Sequence, residues 1–228
     1  MAVDPDSLVN VIAIDGPAGS GKSSAARAAA SRLGMSFLDT GAMYRAATWR
    51  ALDRGVDLTD EKALADSTAA MTLELVPGQD GLRVLVDGRD VSAEIRTPEV
   101  TRNIRHLDGI AGVRSRLVEL QREFAARAPT VAEGRDMGTV VFPKARCKIF
   151  LDASVDERTR RRKLELEARG RPVDAQALRD EIAARDLNDR SRRLAPLRPA
   201  EGATILDTTG MNLDRVVDEI VRLARASA

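Results

Sequence analysis

At 228 residues the chain is long enough for one large domain or two small ones, and its 36 Lys and Arg against 35 Asp and Glu leave a formal net charge of only +1. That balance gives no electrostatic reason to expect a nucleic acid or a membrane surface as partner. Cys147 is the only cysteine, which excludes an internal disulfide and fits a reducing compartment, and no apolar run is long enough to span a bilayer.

The N-terminal segment, Met1 to Asn10, carries acidic residues and lacks the basic–apolar pattern of a secretory signal, so a soluble cytoplasmic protein is expected. The first predicted element follows. Val11-Ile12-Ala13-Ile14-Asp15 is a β-branched apolar run suited to a buried strand. Gly16-Pro17-Ala18-Gly19-Ser20-Gly21-Lys22-Ser23 then matches G-x-x-x-x-G-K-[ST], the phosphate-binding P-loop, with Ser24 beside it. A triphosphate needs many donors at close range. Glycines let backbone N–H groups converge on it, and the following helix, predicted over Lys22 to Leu33 and stopped at Gly34, points its positive end at the same place. In such a loop Lys22 reaches the β- and γ-phosphates and the Ser23 hydroxyl ligates Mg²⁺. Lys22 is expected to stand exposed in this cradle.

Met35 to Leu38 reads as a second strand. Asp39-Thr40-Gly41-Ala42-Met43-Tyr44-Arg45 opens a helix that ends at Gly55, and this alternation indicates a parallel α/β architecture. The pattern then changes. After a helical stretch, Asp60 to Met71, come three short strands: Leu73 to Val76, Leu82 to Val86 and Arg89 to Val91. They are separated by Pro77-Gly78-Gln79-Asp80-Gly81 and Asp87-Gly88. Adjacent hairpins do not belong in a parallel sheet, so about 61–101 reads as a small antiparallel insertion. A charged amphipathic helix, Gly112 to Arg127, presents Val113, Leu117, Leu120 and Phe124 as a core stripe. Parallel-strand signals return at Thr130 to Glu133 and Cys147 to Leu151. Two helical stretches follow, Val155 to Ala168 and Ala175 to Asp189, hinged at Gly170-Arg171-Pro172. A last strand, Thr204 to Leu206, and a last helix, Leu213 to Ala226, close the chain. The sum is a five-stranded parallel sheet flanked by helices, with a small antiparallel insertion and a short helical lid.

Several runs carry a specific resemblance: Ile14-Asp15-Gly16-Pro17 with the P-loop, Leu38 to Arg45, Gly134-Arg135-Asp136-Met137-Gly138-Thr139-Val140-Val141-Phe142-Pro143, Phe150 to Ser154, and Arg185 to Pro196. In these the chain resembles the bacterial cytidylate kinases of the nucleoside monophosphate kinase superfamily, over nearly its whole length. The resemblance implies transfer of the γ-phosphoryl group of ATP to CMP or dCMP, with Mg²⁺; a monomer acting on small molecules, without nucleic acid or membrane, is expected. It implies a single kinase domain whose core is 9–60, 102–154 and 190–228, with a monophosphate-binding insertion at 61–101 and a lid region at 155–189. The acceptor phosphate falls to Arg45, Arg135 and Arg192, and guanidinium suits that task because it is planar, always charged and bidentate to phosphate. The cytosine falls to Thr40, Arg114 and Asp136: a carboxylate and a hydroxyl match the N4 amino group, and an arginine matches N3 and O2. Arg185 and Asp189 match ribose positions, although their i,i+4 spacing equally makes a pair on one helix face. Arg158, Arg161 and Arg162 match lid arginines that serve ATP.

Other readings stay open. The run from Arg158 to Lys163 is basic at five of six positions, which also describes a solvated helix face or a nucleic-acid patch whose affinity would fall steeply with salt. Arg105 stands where relatives carry a sugar-contacting serine. Asp15, Asp39 and Asp152 lie at strand ends, where each could support a bound Mg²⁺. Cys147 reads as core and His106 as incidental. The acceptor could instead be UMP or AMP. A P-loop switch or assembly factor without kinase activity is the alternative class, against which stands the lack of an N-K-x-D guanine-reading motif.

Overall fold

Val11–Asp15 forms strand β1, and all five residues are buried. A strand covered on both faces can be apolar throughout, which is why this run shows no alternation. Ile12 and Ile14 pack under α1 (Lys22–Leu33) and α8 (Leu213–Ala226), in a cluster with Ala26, Val131, Ile149, Leu151 and Ile220. Val11 and Ala13, on the opposite face, are buried just as completely. This is a computed structural model, and it describes residues 3, 8–78, 81–168 and 170–227. Gln79 and Asp80 of the expected hairpin turn, and most of the Met1 to Asn10 segment, lie outside the described residues.

The chain divides into two compact units, Asp39–Gln121 and the remainder. The larger unit is organised by a five-stranded parallel sheet in the order β2-β6-β1-β7-β8. Its other strands are β2 (Ser36–Asp39), β6 (Thr130–Gly134), β7 (Cys147–Asp152) and β8 (Thr204–Asp207). Asp15 at the end of β1 lies opposite Gly134 of β6 and Phe150 of β7. The segments that leave these strands therefore start from one edge of the sheet, the edge where open α/β sheets bind ligands. Cys147 belongs to the apolar core as expected. Two helices, α6 (Val155–Glu167) and α7 (Ala175–Ser191), pack together around Leu166, Leu178 and Ile182. One element was not expected: Met137–Val141 forms a π-helical turn.

The smaller unit starts with α2 (Thr40–Asp53), capped by the Asp39 carboxylate, which accepts from Ala42 N. It continues with α3 (Glu61–Ala69), an antiparallel sheet of β3 (Leu73–Gly78), β4 (Gly81–Val86) and β5 (Arg89–Asp90), and most of α5 (Ala111–Ala125). The β4–β5 connection is the expected two-residue turn, with φ of 50° at Asp87 and 81° at Gly88. Asp87 is held by Arg50 and Arg54, each at 2.7 Å, and by Thr72 N. A short helix, α4 (Pro98–Asn103), was missed, although Thr97 as cap and Pro98 at the first position are its usual signature. Among the described residues no helix is long and apolar enough to cross a membrane.

Candidate functional site

The P-loop shape follows from its glycines. A Cβ on Gly16 would stand 2.0 Å from Leu151 O, so no larger residue fits there, and Gly21 enters α1 with φ of 88°. Gly19, Gly21, Ser23 and Ser24 are exposed, which leaves the anion-facing surface open to solvent, while Pro17 and Ser20 are buried. Ser20 Oγ donates to Pro17 O.

Lys22 corrects an expectation. It is buried rather than exposed, and its Nζ donates to Pro17 O at 2.7 Å. The loop folds over its aliphatic stem. Burial and the charge on Arg135 push its ammonium down to about 7, against the pull of Glu133 and Asp15. An arriving polyphosphate would supply the negative charge this ammonium lacks.

Ser23 Oγ donates to Glu133 Oε1 at 2.7 Å. With its proton committed there, the hydroxyl oxygen keeps lone pairs for a cation, so Ser23 fits the role of a Mg²⁺ ligand when nucleotide is bound. Glu133 escaped the sequence reading, where it was only a strand residue. Of the three strand-end aspartates, Asp15 gives both carboxylate oxygens to the backbone N–H groups of Met137 and Gly138, at 2.8 Å each. Asp39 caps α2 and pairs with Arg45, and Asp152 accepts from Ala153 N.

The basic run on α6 is split by the helix period. Arg158 points inward and is 2% exposed. It forms a two-pronged pair with Asp186 of α7, at 3.0 and 2.6 Å, and donates to Ala153 O and Ala18 O. Arg161, one turn on, donates to Ser20 O and to both oxygens of Thr208, and is steadied by Glu157. Two of the expected lid arginines thus grip carbonyls of the P-loop itself. Arg162 lies outside, paired with Glu165. Asp186, Glu157 and Thr208 were not singled out from sequence. Asp186 sits in a charged stretch that looks solvated throughout, and no local signal marks Thr208.

Arg135, the first residue after β6, donates from Nε to Asp189 Oδ2 at 2.8 Å, and Arg192 binds the other oxygen of the same carboxylate. Burial acts to raise Asp189, but the two guanidiniums hold it below the usual carboxylate range. The i,i+4 partner suggested for Asp189, Arg185, is exposed on α7 and adds to the positive field at both Asp189 and Lys22. Asp136 follows Arg135 and is buried. The larger unit therefore brings together the P-loop, Lys22, Arg135, Asp136, Asp189 and Arg192 at the C-terminal edge of its sheet.

Thr40, Arg45 and Arg114 belong to the smaller unit. Thr40 is the buried first residue of α2. Arg45, one turn further, pairs with Asp39 at 3.2 Å, and its buried Nε has no hydrogen-bond partner among the described residues. Arg114 Nη1 donates to Tyr44 OH at 3.1 Å. Arg105 is exposed in a short 3₁₀ turn, next to His106.

Comparison with known proteins shows which family the chain resembles over its length. The cytidylate kinase family profile matches residues 12–226. A cytidylate kinase of Desulforamulus reducens is 50% identical over 210 residues, covering 92% of this chain and 94% of its own. One from Exiguobacterium sibiricum is 47% identical over 216 residues, 95% of this chain and 97% of its own, and one from Pelotomaculum thermopropionicum is 49% identical over 218 residues, 95% and 96%. A P-loop alone would leave many nucleotide-binding families open, but a match that runs from β1 through α8 at half identity does not, and the chain belongs to the cytidylate kinase family.

Proposed function

We infer that this chain transfers the γ-phosphoryl group of ATP to CMP or dCMP, giving ADP and CDP or dCDP. The observation that carries the reading is the juxtaposition at one sheet edge. The donor loop leaves β1 after Asp15, and Arg135 leaves the neighbouring β6 after Gly134, its register partner. Phosphoryl transfer demands little covalent work from the protein beyond aligning donor and acceptor and neutralising their charge. An acceptor phosphate is already anionic at neutral pH, so no strong base is needed, and His106 has no task.

In this reading the P-loop residues Gly16 to Ser24 cradle the ATP phosphates and Lys22 meets the transferring group. Arg45, Arg135 and Arg192 hold the acceptor phosphate. Asp136 accepts from cytosine N4, Thr40 supports it, and Arg114 donates to N3 and O2. Arg185 and Asp189 serve the ribose. Arg158, Arg161 and Arg162 act at the donor end, the first two through the loop carbonyls they hold. Ser23 would hold Mg²⁺, which when bound neutralises charge on the β- and γ-phosphates. Residues 61–101 serve as the monophosphate-binding insertion, and 155–189 as a lid whose closure excludes water and so suppresses ATP hydrolysis. The chain works as a cytoplasmic monomer on small molecules.

The test is an ADP-release assay with the eight common ribo- and deoxyribonucleoside monophosphates as acceptors. CMP and dCMP should lead in kcat/KM. A preference for UMP or AMP, or ADP release that ignores the acceptor, would overturn the reading.

A further inference from the structure

The π-helical turn Met137–Val141 begins directly after Asp136. Such turns are rare and concentrate at functional sites. Inside it, Val140 N and Val141 N both donate to Asp136 O, at 2.9 and 3.1 Å, and Phe142 N donates to Met137 O at 2.7 Å. Both ends are gripped by charged side chains from distant parts of the sequence. At the N–H end Asp15, 3% exposed, accepts from Met137 N and Gly138 N at 2.8 Å each. At the carbonyl end Arg122 donates from Nε to Val141 O and from Nη2 to Val140 O, both at 3.0 Å. The Arg122 charge has the sign that the carbonyl end of the turn favours. The peptide groups on the C-terminal side of Asp136 are thereby fixed by four side-chain hydrogen bonds, two of them from the charged Arg122 guanidinium, and Met137, Val141 and Phe142 anchor the turn in the core.

We propose that Asp15 and Arg122 are positioning residues for acceptor selectivity: they clamp the π-helical turn from its two ends and so fix the Asp136 carboxylate that reads the base. Both Asp15 oxygens accept from backbone N–H groups of this turn. Arg122 spends two donors on carbonyls that bind no nucleotide in the proposed mechanism. What the clamp holds still is the backbone that carries Arg135 and Asp136. The inference rests on the reading of Asp136 as the cytosine-recognising group.

The experiment compares wild type, Asp136→Asn, Asp15→Asn and Arg122→Met in steady-state kinetics with CMP and UMP, and measures KM for ATP in each. Asp15→Asn turns an amide NH₂ toward a backbone N–H and leaves one of the two N–H groups without an acceptor. KM for CMP should rise about tenfold or more, and the CMP/UMP ratio of kcat/KM should narrow about three- to tenfold. Asp15 adjoins Gly16, so its variant can disturb the ATP loop as well. Arg122 bonds to Val140 O and Val141 O, at the end of the turn opposite Asp15, and Arg122→Met should narrow the ratio in the same direction with KM for ATP within about twofold of wild type. If Asp15→Asn does not fold, Arg122→Met decides alone. Equal losses on CMP and UMP in these variants, or a KM for ATP that rises as far as KM for CMP in Arg122→Met, overturn the proposal. A ratio moved by Asp136→Asn but by neither clamp variant sinks this inference and leaves the proposed function standing. A wild-type enzyme without CMP kinase activity sinks both.

Discussion

Asp186→Ala should detach the α6–α7 hairpin from the donor loop. The Arg158 guanidinium is 2% exposed and Asp186 is 10% exposed, and the pair is held by two hydrogen bonds at 3.0 and 2.6 Å. Removing one partner of such a pair leaves a buried charge uncompensated, at a cost of about 3–5 kcal/mol. The only apolar cluster described between these helices has three buried residues, Leu166, Leu178 and Ile182, each worth roughly 2 kcal/mol of burial. The loss is therefore comparable to most of what else holds the hairpin, and local opening should precede global unfolding. Hydrogen exchange should rise across 155–189 while β1, β6 and β7 stay protected. Arg158 also holds Ala18 O of the P-loop, so KM for ATP should rise with it. Arg158→Met combined with Asp186→Leu should recover most of the stability, because two packed apolar side chains replace the ion pair, but not the ATP affinity. Unchanged exchange in 155–189, or less than about 1 kcal/mol lost in urea denaturation, would refute this reasoning.

Three further outcomes are expected. Lys22→Met keeps the buried stem and removes the cation; the variant should fold and lose about 10²–10⁴ in kcat, and retention of more than about a tenth of the activity would contradict the P-loop assignment. Asp136→Asn should lower kcat/KM for CMP about 10- to 100-fold and narrow the CMP/UMP ratio, as measured at saturating MgATP; equal losses on both acceptors would mean that Asp136 only supports its loop. Burial pushes Asp15 from 3.8 up to about 7, so between these values the folded chain keeps a proton that the unfolded chain has released. The Asp15 contribution to stability should therefore be greatest below pH 4, fall as pH rises towards 7 by at most about 4 kcal/mol, and stay level above that. The difference in urea midpoint between wild type and Asp15→Asn, followed from pH 4.5 to 7.5, isolates it from carboxylates such as Glu157 whose shift is downward; a difference independent of pH would show that Asp15 does not titrate there.

What was legible in the sequence was local. The P-loop, Lys22–Leu33 and Leu213–Ala226 were read with correct bounds because a motif, a glycine stop or a strong apolar stripe marks each within a few residues. The antiparallel strands of the smaller unit were announced by their turn residues. The π-helical turn was not legible: Met137 to Val141 carries no helical period, and the groups that hold it, Asp15 and Arg122, come from 122–123 and 18–19 positions away. Lys22 was placed in solvent because its charge was weighed and its four-carbon stem was not. Spacing alone does not rank the five basic residues of α6, although the resemblance picks out Arg158, Arg161 and Arg162. One helical turn separates Arg158 and Arg161, which reach P-loop carbonyls, while Arg160 and Arg162 turn outward to Glu157 and Glu165. The pairing of Asp189 with Arg135, 54 positions away, is a tertiary choice that helix spacing cannot disclose.

The central claim is phosphoryl transfer between nucleotides, and tracing the phosphorus tests it most directly. The purified chain is incubated with γ-labelled ATP, Mg²⁺ and CMP, and the products are separated by chromatography. The label should appear in CDP, in amounts equal to the ADP formed, and should not appear without CMP. Label released as inorganic phosphate, or retained in ATP while CMP is present in excess, would contradict the account.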